Sequence, residues 1–396
     1  MKIIHLCLCG SYNEEWGYQD NIIPIYNKRD GHEVTVISSV LSTDTNNLGY
    51  SVKDPGVYLI KEGVKLIRIP FKNKFPFKLE KKFRIYPSLL KTLENEKPDF
   101  IFIHGLQFAN IVDVVKYLKK NTNVRTVVDN HADFSNSATN WFSKKILHSI
   151  IWRYNAKSIT PYTEKFYGVL PARVDFLINV YKVPVEKTEL LVMGADVDQI
   201  NFNDKLMIRK NIRERHSIKE TDTLLITGGK IDSAKLQTLD FLKIIIASEK
   251  ENLKVLIFGS IDNEIKEQLF NLVDDDKIQF IGWLNTHDIY EYFLASDLGV
   301  FPGRHSVLWE QAVGTGLPCL FKYWKGTTHV DVGGNCLFLD NDSYEEIEQK
   351  LFAIIDNENL FENMKKISLD KGRSKFSYRK ISREAIQSDM VTISNE

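Results

Sequence analysis

Two lysines in the C-terminal half have the type and spacing to neutralise a phosphorylated ligand. They lie in the stretch Gly228-Gly229-Lys230-Ile231-Asp232-Ser233-Ala234-Lys235, directly after an apolar run. An ammonium group is a compact charge that suits phosphate oxygens. Two of them could stabilise the negative charge that a diphosphate gains as a leaving group. The alternative is a glycine turn with solvated lysines, and the stretch is not a Walker motif.

A second segment with chemical potential runs from Ser296 to Pro318, where an apolar run meets a Pro-Gly turn and then a helical pattern. Ser306 is predicted to be the N-cap of that helix, and Glu310 falls one turn inside it. The turn could offer backbone amides to a diphosphate, and Glu310 could accept hydrogen bonds from ribose hydroxyls. The alternative is an ordinary capped helix with a surface glutamate.

A histidine follows an apolar run in the N-terminal half, in Val127-Val128-Asp129-Asn130-His131. At the end of a strand, His131 would face a cleft and could touch a sugar. The alternative is a structural histidine. The stretch Asp274-Asp275-Asp276 contains an Asp-x-Asp spacing, but it lies in a charged turn and is interpreted as a solvated loop, so no metal site is predicted.

The elements that must position these residues follow an alternation of short apolar runs and longer helical patterns. That alternation is typical of parallel sheets flanked by helices. A chain of 396 residues is also too long for one ordinary core. The predicted strands are Ile3–Cys9, Glu33–Ser38, Leu66–Ile69, Phe100–His104, Arg125–Asp129 and Lys157–Thr160 in the first half, then Leu224–Thr227, Lys254–Phe258, Ile278–Ile281, Leu298–Phe301 and Pro318–Phe321.

The fold class is therefore predicted to be α/β, with two doubly wound Rossmann-like domains. We expect an N-terminal domain over residues 1–195, a C-terminal domain over 196–375, and a helical tail over 376–396 that could cross back to the first domain. In such domains ligands bind at the carboxyl ends of the strands, where helix N-termini and loop amides favour phosphate. The strand-end glycines Gly10, Gly229 and Gly259 are predicted to contact the ligand there.

Composition narrows the possible partners. Basic and acidic residues balance to a formal net charge of zero, so no global attraction to nucleic acid is expected. No signal peptide is visible at the start of the chain, and no stretch reaches the roughly 18 apolar residues that a membrane span needs. Four cysteines without a Cys-x-x-Cys pair predict buried thiols in a reducing compartment. A cytoplasmic location follows, with contact to the inner face of the cell membrane left open.

A basic and aromatic segment over residues 71–84 is a candidate for contact with an acceptor or a membrane. Its cations include Lys78, Lys81, Lys82 and Arg84, with phenylalanines between them. A second candidate is Trp141-Phe142-Ser143-Lys144-Lys145-Ile146-Leu147. The alternative is an exposed loop and an amphipathic helix packed on the sheet.

Taken in order, these segments resemble the GT-B family of retaining glycosyltransferases that includes sucrose synthases and phosphatidylinositol mannosyltransferases. The resemblance also rests on Gly17–Ile37, on Met193-Gly194-Ala195-Asp196-Val197-Asp198, and on Phe280-Ile281-Gly282-Trp283-Leu284 followed by Ala295-Ser296-Asp297. It implies two domains facing across a deep cleft, transfer of a hexose-type sugar with retention, and a nucleoside diphosphate sugar (UDP or GDP) as donor, with no other cofactor required.

The resemblance also implies roles for single residues. Lys230 stands where the family usually has arginine, and Lys235 matches its lysine; both would bind the diphosphate and act in catalysis. Glu310 matches the second glutamate of a Glu-x7-Glu motif, which contacts ribose. His131 matches a catalytic histidine that lines the donor-sugar pocket. The donor site would be completed by His305, Ser306 and Val307 from the loop before Glu310.

One departure concerns the sugar. The first glutamate of that motif falls where Pro302 stands, so the loop Gly303-Arg304-His305-Ser306 is expected to replace it. The resemblance favours a saccharide or lipid-linked saccharide acceptor in surface polysaccharide synthesis, meaning capsule, lipopolysaccharide or exopolysaccharide. Two alternatives stay open: a sugar-nucleotide 2-epimerase of the same fold, and a non-catalytic nucleotide-sugar-binding scaffold.

Overall fold

The structure is a computed structural model that describes residues 1–43, 50–72, 83–138 and 140–387. The chain forms two compact units. The first comprises Met1–Val192 and the chain from Ile381 onward, and the second is Met193–Lys380. Of the predicted contact residues, Lys78, Lys81 and Lys82 lie outside the described residues. No helix within the described ranges is both long enough and apolar enough to cross a membrane.

The first unit is built on an eight-stranded sheet in the order β10-β9-β8-β7-β1-β2-β6-β5, in which only β5 runs antiparallel to its neighbour. Its strands, with the separate β3–β4 pair, are β1 (Lys2–Cys7), β2 (Glu33–Ser39), β3 (Leu41–Thr43), β4 (Tyr50–Val52), β5 (Gly56–Leu59), β6 (Lys65–Ile69), β7 (Phe100–His104), β8 (Arg125–Asn130), β9 (Lys165–Gly168) and β10 (Thr188–Leu190). The strand order reverses between β1 and β7.

The α-helices of the first unit cover this sheet, and two further segments have π-type hydrogen bonding, Ser143–Trp152 and Leu177–Tyr181. The α-helices are α1 (Gln19–Arg29), α2 (Leu89–Glu96), α3 (Ile111–Lys120), α4 (Arg153–Ile159) and α5 (Pro171–Phe176). The strand predicted at Lys157–Thr160 is wrong. Trp152, Ala156 and Ile159 are buried at helical spacing, so the segment continues a helix and the next strand is β9.

The second unit is built on a six-stranded sheet with every neighbour parallel, in the order β13-β12-β11-β14-β15-β16. Its strands are β11 (Thr223–Ile231), β12 (Leu253–Ile261), β13 (Ile278–Gly282), β14 (Leu298–Phe301), β15 (Cys319–Lys322) and β16 (Cys336–Leu339). Its helices are α6 (Lys205–Arg215), α7 (Gln237–Ala247), α8 (Asn263–Phe270), α9 (Thr286–Ala295), α10 (Leu308–Gly314), α11 (Tyr344–Ile355), α12 (Glu358–Ile367) and α13 (Arg373–Lys375). The last helix, α14 (Tyr378–Ile386), spans the boundary between the units.

Burial explains why these runs form central strands. All residues of β7 and β14 are buried, as expected for parallel strands covered by helices on both faces. Each unit has a large apolar core of its own. The prediction of two doubly wound Rossmann-like domains is therefore confirmed.

Candidate functional site

The strand order of the second unit reverses between β11 and β14. Ligands of doubly wound sheets bind outside the carboxyl ends of strands at such a point. A small pocket lies there. It is lined by Thr227, Gly228, Lys235, Thr238, Phe301, Pro302, Gly303, Arg304 and Trp309. The structure thus brings Lys235 and the loop after β14 together, although they are far apart in sequence.

Lys235 is held against the loop by close packing. A Cβ added at Gly303 would lie 2.7 Å from Lys235 Cγ, so the lysine stem passes where only glycine leaves room. Burial lowers the pKa of Lys235, and the positive charges of Arg304 and Lys230 add to this against the opposing effect of Asp232. Lys235 and Arg304 therefore line the same pocket, and Lys230 adds a third positive charge that acts on Lys235.

Lys230 lies on a strand rather than in a turn. The predicted end of the strand at Thr227 is wrong, because β11 continues through Ile231 and pairs with β12 along its whole length. The Lys230 side chain is 69% exposed, and its Nζ lies 3.5 Å from Asp232 Oδ2. Beneath it Gly229 and Gly259 are directly opposed, and a Cβ at Gly259 would come 2.0 Å from the Gly229 carbonyl oxygen.

The loop before α10 differs from expectation at Ser306. No side chain caps α10, so the prediction that the Ser306 hydroxyl is its N-cap is wrong. Instead the Ser306 carbonyl accepts the N–H of Trp309 at 3.0 Å and closes the first turn. Val307, which directly precedes α10, has helical dihedral angles.

Glu310 is the centre of a buried cluster. Its Oε1 accepts hydrogen bonds from His305 Nε2 at 3.0 Å and from His329 Nε2 at 2.8 Å. Glu310 has no exposed surface, so the alternative of a surface glutamate is wrong. Burial by itself would raise the pKa of Glu310, but the two histidines overcome it and lower the pKa below the usual range. Glu310 Oε2 and His329 Nδ1 are buried without a hydrogen-bond partner among the described residues.

His131 belongs to a similar cluster in the first unit. Asp129 Oδ2 lies 3.2 Å from His131 Nε2 and 2.8 Å from His104 Nδ1. Asp129 is fully buried, whereas the His131 side chain is 40% exposed. Burial opposes ionisation of Asp129, but the two histidines lower its pKa below the usual range. Asp129 Oδ1 has no partner among the described residues.

The cluster extends inward to a second buried histidine. His5 Nδ1 lies 3.1 Å from His104 Nε2, and His5 Nε2 lies 3.0 Å from Asn27 Oδ1. Burial and the neighbouring His104 lower the pKa of His5 well below its usual value. Burial also acts to lower the pKa of His104, but Asp129 and, less strongly, Asp20 outweigh it and raise that pKa. Of the two buried histidines, His104 therefore favours its protonated form more strongly than His5 does.

The remaining predicted residues stand apart from these clusters. Gly10 is exposed just after β1, and its carbonyl accepts the Ser39 hydroxyl at 3.2 Å. The Arg84 guanidinium donates to the Gln107 carbonyl at 2.7 Å.

Sequence reasoning missed His104, His329 and Arg304 as individual site residues. His104 ends a predicted strand and His131 closely follows another, so the same strand-end argument could have found His104. Arg304 lies in the loop that was expected to replace the missing glutamate, and a guanidinium is well suited to phosphate. His329 had no local signal, because a turn after β15 brings it to Glu310.

Both histidine–carboxylate clusters offer the donor set of a divalent cation. In each, one carboxylate oxygen and two imidazole nitrogens lie within 4.8 Å of one another. These atoms already satisfy one another by hydrogen bonding or close pairing.

At Asp274 the carboxylate Oδ1 accepts three backbone N–H groups at 2.8 to 3.1 Å, which gives that turn a structural role.

Comparisons with known proteins bear on the fold. No family model matches the sequence. A mannosylfructose-phosphate synthase from Agrobacterium fabrum is 22% identical over 258 residues, which are 62% of this chain and 55% of that protein. The chain therefore matches about half of the length of this curated relative.

Solved structures match the whole chain at low identity. A sucrose-phosphate synthase from Thermosynechococcus elongatus superposes with a TM-score of 0.68 at 15% identity, over 97% of each chain. HepE from Anabaena in complex with UDP gives 0.67 at 12% identity, over 97% of this chain and 98% of that one. A UDP-GlcNAc 2-epimerase from Neisseria meningitidis gives 0.62 at 13%, over 97% and 98%. Because both transferases and an epimerase share the fold, the likeness establishes the fold alone.

Proposed function

We propose that this protein transfers a sugar from a nucleoside diphosphate sugar to an acceptor. The observation that carries the proposal is that Lys235 and Arg304 line one pocket at the reversal point of the second sheet, with Lys230 near enough to act on Lys235. Cations at the carboxyl edge of a doubly wound sheet suit a diphosphate. The solved relative from Anabaena carries UDP, which is a ligand of this class.

The cations supply the main chemical effect. As the bond between the anomeric carbon and the diphosphate breaks, negative charge grows on the leaving phosphate. Lys235 is positioned before the reaction by its packing on Gly303, so its charge stabilises the leaving group without reorganisation. We assign Lys230 and Arg304 to the same phosphates.

Glu310 is assigned to the ribose of the donor. Its Oε1 is occupied by two histidines, so Oε2 is the oxygen left to accept a hydroxyl. Because the carboxylate has no exposed surface, a ribose reaches Oε2 by displacing part of the loop over residues 302–307. His305, Ser306 and Val307 belong to that loop and complete the donor site, with Gly229 and Gly259 allowing close approach of the phosphates.

His131 is assigned to the donor sugar as a catalytic residue, with Gly10 near the same end of the first sheet. The buried pair of Asp129 and His104 fixes the ring of His131 through its Nε2. This leaves Nδ1 for a sugar hydroxyl. The proposed transfer retains the configuration at the anomeric carbon, with the leaving phosphate assisting deprotonation of the acceptor.

The finer assignment concerns acceptor and place. We assign a hexose-type donor sugar and a saccharide or lipid-linked saccharide acceptor, in surface polysaccharide synthesis at the cytoplasmic side of the cell membrane. The contact residues proposed for the acceptor or membrane are Lys78, Lys81, Lys82 and Arg84. The mannosylfructose-phosphate synthase supports a saccharide acceptor by its name.

A panel of UDP and GDP sugars with saccharide acceptors tests the proposal. Free nucleoside diphosphate together with a glycosylated product supports transfer, and an epimerised donor without acceptor supports the 2-epimerase instead. Binding without turnover supports a scaffold. In the transferase case Lys235→Ala lowers kcat/KM by about 100-fold, since one preorganised charge contact is worth about that much. The matched control is Lys266→Ala, an exposed lysine of the same unit, which leaves kcat/KM unchanged.

A further inference from the structure

A helical segment of the first unit has one face anchored in the core. It is helical from Trp141, has π-type hydrogen bonding over Ser143–Trp152 and continues as α4. Trp152, Ala156 and Ile159 pack in the apolar core. His148 is held by the Tyr181 hydroxyl at 2.8 Å and the Ser137 hydroxyl at 2.9 Å. The orientation of the segment is therefore fixed.

The opposite face carries large apolar side chains that the described residues leave exposed. Trp141 is 70% exposed, Ile150 is 59% exposed and Tyr154 is 63% exposed. Lys145 and Lys157 are exposed between and beyond them. The steps along this row are three to five residues, and the wide π-type turn lets residues five apart share a face. We call Trp141, Lys145, Ile150, Tyr154 and Lys157 the aromatic–basic face.

The charge of this segment has one sign. From Phe134 to Thr163 the sequence has four lysines or arginines and no aspartate or glutamate. Among the described residues, no carboxylate forms an ion pair with Lys145 or Lys157. Nearby, Lys144 lies 4.7 Å from the ring centroid of Phe134, which is itself half exposed. Such a surface complements an anionic partner that also accepts apolar side chains.

We infer that the aromatic–basic face docks on the surface of an anionic lipid bilayer. A bilayer interface accepts both halves of this face. Tryptophan and tyrosine rings are favoured at the level of the headgroups, an isoleucine enters the acyl boundary, and lysines reach the phosphates by extending their stems. A soluble polyanion would satisfy the lysines but would leave the apolar side chains in water. The face shares no residue with those assigned to the nucleotide sugar, so the inference stands whether or not the chain transfers sugar.

Vesicle co-sedimentation without nucleotide or acceptor tests the inference. The full chain is mixed with phosphatidylcholine vesicles, alone or with phosphatidylglycerol. We expect binding to the anionic vesicles to exceed binding to the neutral ones by about tenfold or more, and to weaken as salt rises. The double variant Lys145→Glu/Lys157→Glu lowers the partition coefficient on anionic vesicles by about tenfold or more. Trp141→Ser/Tyr154→Ser lowers it as well, and it does so at high salt too.

Matched variants separate this face from other causes. Lys243→Glu/Lys266→Glu makes the same change of charge on exposed lysines of the second unit and leaves binding unchanged. Lys78→Glu/Lys81→Glu/Lys82→Glu probes the other basic segment. Circular dichroism checks that each variant is folded.

Three outcomes overturn the inference. The first is equal vesicle binding by the wild type and Lys145→Glu/Lys157→Glu. The second is loss of binding in the Lys78→Glu/Lys81→Glu/Lys82→Glu variant alone. The third is binding of a soluble anionic polysaccharide through Lys145 and Lys157 without binding to vesicles. A lipid-borne quencher adds a direct readout, because Trp141 emission is quenched on docking whereas Trp283, exposed in the second unit, is not.

Discussion

The two units each contain a buried carboxylate that pairs with two histidines, and the clusters differ in how far those histidines are exposed to solvent. In the first unit His131 lies on Asp129 and keeps two fifths of its side chain exposed. In the second unit His305 and His329 both lie on Glu310 and are nearly buried. In both clusters the second carboxylate oxygen has no partner among the described residues.

The difference shows two uses of the same buried charge. A buried carboxylate is tolerated only when it is paired and hydrogen bonded. Asp129 is paired with a histidine whose pKa is raised, His104, and presents a second histidine to solvent. Glu310 is enclosed by histidines, one of which, His329, has a lowered pKa. The first cluster is built to present an imidazole, and the second is built to hold a carboxylate in place.

The largest expected effect is on stability when each carboxylate is removed. Asp129→Ala breaks a fully buried pair and removes the group that raises the pKa of His104, so we expect a loss of about 3–5 kcal/mol in unfolding free energy. Glu310→Ala leaves His329 largely neutral, and we expect a smaller loss of about 1–3 kcal/mol from unmade hydrogen bonds. Calorimetry of both variants checks the order, with Asp129→Asn and Glu310→Gln as controls that keep the volume. A larger loss in Glu310→Ala would contradict this account.

A comparable contrast is expected in catalysis if the chain is a transferase. His131→Gln lowers kcat by about 100-fold and leaves the affinity for nucleoside diphosphate nearly unchanged. His305→Gln instead raises KM for the nucleotide sugar, because it releases Glu310 from its position. Steady-state kinetics and nucleotide titration measure both. If His131→Gln changed KM alone, the assignment of His131 to the chemical step would fail.

The sequence predicted the sheets better than it predicted the clusters, for a physical reason. Apolar runs such as Phe100–Ile103 and Leu298–Phe301 report burial directly, so these central strands were predicted where the structure has them. Strand ends were less accurate, since β11 continues for four residues past Thr227 through glycines that pair with β12. A glycine has no side chain with which to signal that it is in a strand.

Contacts distant in sequence had no local signal. At Glu310 the alternative of a surface glutamate stayed open because nothing nearby in the sequence indicates His329, which follows a later strand. The error at Lys157–Thr160 has a similar cause, since its helical anchors Trp152 and Ala156 lie before the stretch that was read as a strand. His104 could be seen at the end of an apolar run in the sequence. Its pairing with Asp129 could not, because it requires β7 and β8 to be neighbours in the sheet.

The pH dependence of stability should have opposite signs in the two clusters. The raised pKa of His104 gives stability that is complete below about pH 6.5 and is lost as pH rises through the folded value. The lowered pKa of His329 gives the reverse, because the unfolded chain takes up a proton first as pH falls below about 6.5. Melting temperatures from pH 5 to 9, compared between the wild type and His104→Gln or His329→Gln, isolate each contribution. If the melting-temperature difference from the wild type changed with pH in the same direction for both variants, the two clusters would not be electrostatically distinct.

The smallest effects separate the outer histidines. His131 is partly exposed, and in His131→Ala the carboxylate of Asp129 is still paired with His104. We therefore expect this variant to change the unfolding free energy by no more than about 0.5 kcal/mol. His305 is nearly buried and donates one of two hydrogen bonds to a fully buried carboxylate. His305→Ala removes that bond and should lower the unfolding free energy by about 1–2 kcal/mol. Urea unfolding of the two variants measures this difference. If His131→Ala hardly changes the unfolding free energy, the fold does not need this imidazole, as expected of a residue that contacts a ligand. If it lowers the unfolding free energy as much as His305→Ala does, His131 is a structural histidine.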